Sequence, residues 1–165
     1  MPLSCNPPVS KQQKALLTGE AFWSFSLSHY NEDGVQQGAL ILQDKHHGNV
    51  NLALLLIWLD SLSIGFPTPD IKTLETALIS TDTLLFSYRK LRKAIKKTAN
   101  ISLYQDALNF ELQLERQQQA DLIEALLRIP LKQVTAIDPP ALLRHYCLSL
   151  NAETLIFNLQ ANQAN

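Results

Sequence analysis

Apolar residues recur along this chain at spacings of three and four, broken by short polar or proline-bearing turns, and that rhythm predicts helices throughout. Residues 1–17, with Pro2, Pro7 and Pro8, read as a flexible lead-in. Thr18 is placed to cap a first helix reaching about Asn31, with Trp23, Leu27 and Tyr30 on one face and Phe22, Phe25 and His29 on another. Two apolar faces imply burial on both sides. After the turn at residues 31–34, Asp33 is expected to cap a helix over Gly34 to His46, striped by Val35, Ala39 and Leu42. Gly38 on that helix has no side chain, which lets another backbone approach. Gly48 ends the helix, and Asn49 caps a third one running to about Leu62. Its residues 50–59 are apolar nearly all round, the mark of a central helix.

The stretch Ser63 to Pro69 is the clearest break. Beyond it the pattern predicts a short helix from the Asp70 cap to about Ile79. Ser80-Thr81-Asp82 then starts a new helix to about Ala99, with Leu84, Tyr88, Leu91 and Ile95 inward. A long helix follows over about 103–129, stopped by Pro130, with Leu108, Leu112, Glu115 and Leu122 marking its spacing. Pro139-Pro140 opens a helix over 141–150, and a last one spans 152–159. No alternating strand pattern survives beside these. The fold class is therefore all-α: a compact single-domain helical bundle of six or seven helices over residues 18–160, followed by a polar tail at 161–165.

Composition narrows the class without naming an activity. The chain has 165 residues, enough for one core, and a net charge of -1 that gives no global pull toward nucleic acid or anionic membrane. Charge is uneven, with 4 basic and 8 acidic residues over 1–82 and 10 and 7 over 83–165. Cys5 and Cys147 are far apart and form no CxxC pair, so free thiols in a reducing, cytoplasmic setting are expected. No apolar run approaches the roughly 20 residues a membrane helix needs, so no membrane partner is expected.

One segment stands out: Phe22 to Leu59, where two helix-sized apolar blocks flank the polar stretch Gln43 to Asn51. Trp23-x-Phe25, Tyr30, Gly34-Val35, Leu42-Gln43-Asp44, Val50-Asn51 and Trp58 in this segment resemble a family of short proteobacterial proteins grouped as domain of unknown function 2390. Leu91-Arg92-Lys93 and Glu111-Leu112-x-x-Glu115-Arg116 are similar to its basic and acidic helices. The family brings no established activity. It often carries an acidic residue before the Val-Asn pair, where this chain has Asn49. Asparagine and aspartate cap helices equally well, so Asn49→Asp is expected to be nearly neutral, while the missing carboxylate argues against a hard-metal site. The resemblance also implies a translation-linked partner, since relatives are often encoded beside an ABC-F-type ATPase.

Candidate chemistry is sparse. Asp44, His46 and His47 are residue types that can ligate a transition metal. Adjacent helical histidines diverge by about 100°, however, so no metal or cofactor is assigned. A ligand site is expected, if anywhere, among the first three helices, from Gln43, Asp44 and Asn51 with Trp23, Tyr30 and His29. The segment Arg89 to Lys97 carries six positive charges, of which Arg89, Arg92, Lys93 and Lys96 are the candidates for a partner surface. No aromatic residues interleave with them on the exposed face, so a protein partner is favoured over nucleic acid such as ribosomal RNA. No P-loop, dinucleotide fingerprint, HExxH or GxSxG is present, and no catalytic residue is assigned. The leading expectation is a non-enzymatic accessory protein that binds a macromolecule; the alternative is a small-ligand or metal-binding protein, or an enzyme, with a pocket near Asp44 and Asn51.

Overall fold

In the computed structural model, which describes residues 6–135 and 141–161, helices α1 (Lys11–Ala15), α2 (Gly19–Tyr30), α3 (Val35–His46) and α4 (Val50–Ser61) come first. Strand β1 (Ile64–Gly65) follows, then α5 (Ile71–Lys96), α6 (Ile101–Leu126), β2 (Lys132–Gln133), α7 (Leu142–Ser149) and α8 (Ile156–Leu159). The class is all-α, with one two-residue antiparallel strand pair that joins Ile64 to Gln133 and Gly65 to Lys132. Pro139 and Pro140, expected to open α7, lie outside the described residues.

The apolar helix α4 is the axis of the core: Leu52 through Leu59 are all buried. Trp58 stacks on Phe22 with ring centroids 5.5 Å apart. α7 packs along α4, and the Asp60 carboxylate at the end of α4 accepts hydrogen bonds from the Leu142 and Leu143 amides at 3.0 and 3.1 Å. It therefore caps the start of α7, whose own N-cap residue, Ala141, has no side-chain acceptor. α8 lies on α3 at Gly38, where an added Cβ would come within 3.1 Å of Asn158.

Several expected boundaries move. Residues 6–17, read as a lead-in, are tied down: Ser10 and Gln13 form a reciprocal capping box on α1, Leu17 is buried, and Val9 N–H donates to the Leu131 carbonyl at 3.2 Å. Gly34, in the left-handed region at φ 85°, is the N-cap of α3, and Asp33 makes no cap. The start expected at Ser80-Thr81-Asp82 does not exist. α5 runs unbroken for 26 residues, because the Thr81 hydroxyl donates back to the Leu78 carbonyl and Asp82 is drawn into contacts with other helices.

The inner stripe of α5 is also shifted. Ile71, Leu74, Leu78, Thr81 and Leu85 are the buried positions, while Leu84 and Leu91 are more than half exposed. This rotation brings Arg89 and Arg92 inward against Glu111 of α6. Each of the two helices is roughly 39 Å long at 1.5 Å per residue. Between residues 86 and 110 only Ala107 is buried. Among the described residues, the distal halves of α5 and α6 therefore form an arm with little besides each other to cover them.

Candidate functional site

Where the arm leaves the bundle, faces of α2, α3, α4, α5 and α6 enclose a cleft of about 670 Å³. Helical spacing explains who lines it. Trp23, Ser26, Leu27 and Tyr30 are one face of α2, and Leu112, Glu115 and Gln119 are one face of α6. The mouth is apolar: Leu27, Leu40, Phe86 and Leu112, each on a different helix, are 47–63 % exposed. The floor is made of amides.

That floor has a fixed polarity. The Asn49 side-chain oxygen accepts from the Leu52 amide at 2.8 Å as the cap of α4, so its Nδ2 must donate. It does so to Asp82 Oδ1 at 2.8 Å and to Gln118 Oε1 at 3.1 Å. Gln118 thereby presents its oxygen to Asn49 and to Asn51 Nδ2 (2.8 Å) and its nitrogen to Thr81 and Asp82. Asn51 is left with its oxygen facing Gln119 Nε2 at 2.9 Å, and Gln119 Nε2 also donates to Ser26 Oγ at 3.0 Å. The chain of amides ends on Gln119 Oε1. Gln119 is 2 % exposed, and this oxygen has no partner among the described residues. One backbone N–H thus sets the orientation of four side-chain amides.

Charge enters from the side facing the arm. Arg89 lies between Glu111 (3.3 Å) and Glu115 (3.5 Å), and Arg92 also contacts Glu111. Burial pushes the Glu115 carboxyl above its ordinary range; the Arg89 guanidinium opposes that and Glu111 reinforces it. The Tyr30 hydroxyl is raised by burial first and by the nearby Glu115 charge second.

Of the residues read from the sequence as a ligand site, Gln43, Asn51, Trp23 and Tyr30 line the cleft. Asp44 does not; it is exposed, at the helical-wheel position opposite the buried Val35. His29 does not either. It is buried, stacked on Phe25, with Nε2 2.6 Å from the Leu159 carbonyl, an acceptor that requires the proton on Nε2. His46 similarly meets the Leu150 carbonyl at 3.1 Å, and the described residues hold no group of three His, Cys, Asp or Glu side chains suited to a metal ion. On the basic helix, Arg89 and Arg92 are spent on glutamates, while Lys93 and Lys96 are exposed, Lys96 with its Nζ 5.8 Å from the Tyr104 ring centre. Cys147 is buried, its thiol pushed up to about 11 by burial.

Sequence reasoning missed Ser26, Asp82, Phe86, Glu115, Gln118 and Gln119 as site residues. A signal was available for one of them. The spacing Leu112, Glu115, Leu122 continues through position 119, so a glutamine there falls on the inward stripe of α6 rather than on a solvated face.

A family model described as Protein of unknown function (DUF2390) matches residues 21–122, more than half of the chain. The chain belongs to that family. No curated protein and no solved structure matches the chain. The DUF2390 match begins at α2 and ends late in α6, and every residue lining the cleft, from Trp23 to Gln119, falls within it. α7 and α8 lie beyond it, in the part of the molecule that closes the core from the other side.

Proposed function

We propose that this DUF2390 protein is a binding protein that takes a small amphipathic molecule into the cleft, without a catalytic step. The observation that carries the reading is the mouth: four exposed apolar side chains from four helices converge on one opening above a polar floor. Large apolar side chains scattered singly need no explanation, but a ring of them around a cavity marks a binding surface. A volume of about 670 Å³ suits a small ligand. An apolar body would rest against Leu27, Leu40, Phe86 and Leu112, with a polar head toward Asn51 and Gln119. The test is an NMR titration of the full chain with a set of amphipathic fragments. Binding in the cleft shifts the Trp23 indole and the Asn51, Gln118 and Gln119 side-chain amides together, and Leu112→Asp at the exposed mouth abolishes the shifts. Hits that leave those resonances still, or that bind the Leu112→Asp protein equally well, reject the reading.

A second reading rests on the arm. Leu91, Ile101, Leu103 and Phe110 are exposed there beside Lys90, Lys93, Lys96 and Lys97, a surface that suits a protein partner with an acidic, apolar face. Ribosomal RNA is the lesser candidate because Arg89 and Arg92, the residues best shaped for phosphate, are already paired. A partner captured by the wild type and retained by the triple variant Leu91→Glu, Lys93→Glu, Lys96→Glu would remove this reading. The setting we propose for either role is the bacterial cytoplasm, where a free thiol at Cys147 is at home.

A further inference from the structure

We infer that the head group taken by the cleft floor is a hydrogen-bond-donating cation, in its simplest form an alkyl- or aryl-ammonium; the inference rests on the cleft being the binding site. The argument is an inventory of donors and acceptors. Asn49, Asn51, Gln118 and Gln119 bring eight side-chain N–H groups to the floor. Seven are engaged: two each from Asn49, Gln118 and Gln119, and one from Asn51.

Acceptors are left over. Gln119 Oε1 is enclosed and without a partner among the described residues. Asp82 accepts both its bonds on Oδ1, which leaves Oδ2 for an incoming donor. Asn51 Oδ1 accepts once and has capacity for a second bond. Glu115, one helical turn before Gln119, holds Arg89 only at 3.5 Å. A floor with its amide donors committed and its acceptors unfilled selects a donor. From these four amides a carboxylate or phosphate head would find one free N–H and several oxygens.

Charge points the same way. Asp82 and Glu115 line the cleft with Arg89 and His47, and Arg89 is shared with Glu111. The aromatic walls are suited to a cation as well, since this chain already seats Lys90 on Phe86 (4.5 Å) and Arg116 on Trp23 (5.6 Å). Those two cations are exposed, so solvent and salt screen their repulsion of a third.

The experiment uses three probes with one aromatic body: phenethylammonium, phenethyl alcohol and 3-phenylpropionate, each titrated into the full chain and followed at the Trp23 indole and Gln119 side-chain amide. The ammonium is expected to bind about tenfold more tightly than either of the others, as charge-assisted bonds to Asp82 and Glu115 would give. Asp82→Asn, at an exposed position where the amide oxygen still accepts from Asn49 and Gln118, is expected to remove most of that preference, weakening the ammonium far more than the alcohol. If the carboxylate binds best, or all three bind alike, the head-group inference is overturned while the cleft remains the site. If none of the three moves the cleft resonances, both fall together.

Discussion

Asn49 has four polar partners on four other segments of the chain. Its side-chain oxygen caps α4, its nitrogen donates to Asp82 and Gln118, and its backbone N–H donates to the Tyr146 hydroxyl at 2.9 Å. Asn49→Ala is therefore expected to cost about 2 kcal/mol, roughly one for the lost cap and one for the network left behind. Asn49→Asp, nearly neutral if capping were the whole role, is expected to be worse than neutral. A carboxylate oxygen in place of Nδ2 would face Asp82 Oδ1 and Gln118 Oε1 at the distances where donors now sit, and the damage should ease as pH falls through the carboxylate range. Trp58→Ala, by contrast, empties the stacked core beside Phe22 and should cost about 3–5 kcal/mol. Trp23→Ala should cost less than Trp58→Ala, because the ring is half-buried on the cleft wall rather than in the core. Urea melts of the four variants check this order, and Asn49→Asp matching the wild type at neutral pH would show that Asp82 turns away.

At the scale of the element, α7 depends on a side chain far away in sequence. Asp60 gives one carboxylate oxygen to each of two successive amides, and an amide side chain offers only one oxygen. Asp60→Asn is expected to cost about 1–2 kcal/mol and to speed hydrogen exchange at Leu142 and Leu143 before the rest of the core; equal protection in the variant would refute the capping role. Nothing local announced this arrangement, since a cap from another helix leaves no mark at Ala141. The helices themselves were legible because they rest on local chemistry: Thr18 and Asn49 cap where the sequence puts them, although α3 ends with His47, not Gly48, in the left-handed region at φ 55°. The site was half legible. Trp23, Tyr30, Gln43 and Asn51 lie on or beside the aromatic and polar blocks that draw the eye. Asp82 and Gln118 matter only because α5 and α6 come together, and a single sequence does not show which polar side chains will meet.

For the whole molecule, buried acids set the response to pH. Burial raises Glu115 above its ordinary value of 4.5 and Asp60 above 3.8, despite the amides that Asp60 caps. A group that holds its proton more tightly when folded favours the fold below its unfolded value, and that advantage is lost as pH rises through the folded value. Glu115→Gln carries no such proton, so its melting temperature relative to wild type should climb as pH rises above the ordinary carboxyl value of 4.5; a constant offset would mean that Arg89 fully offsets the burial. The last helix also closes on α2 and α3. His29 reaches the Leu159 carbonyl across 130 positions, and the small-residue face of α3 at Gly38 is covered by Asn158 and Leu159. On a ribosome those residues emerge after everything they cover, while α5 and α6, joined by a turn of a few residues, can zip together early. Until the last helix arrives, α3 has an uncovered groove, and a nascent chain paused before residue 158 is the form of this protein most in need of a chaperone.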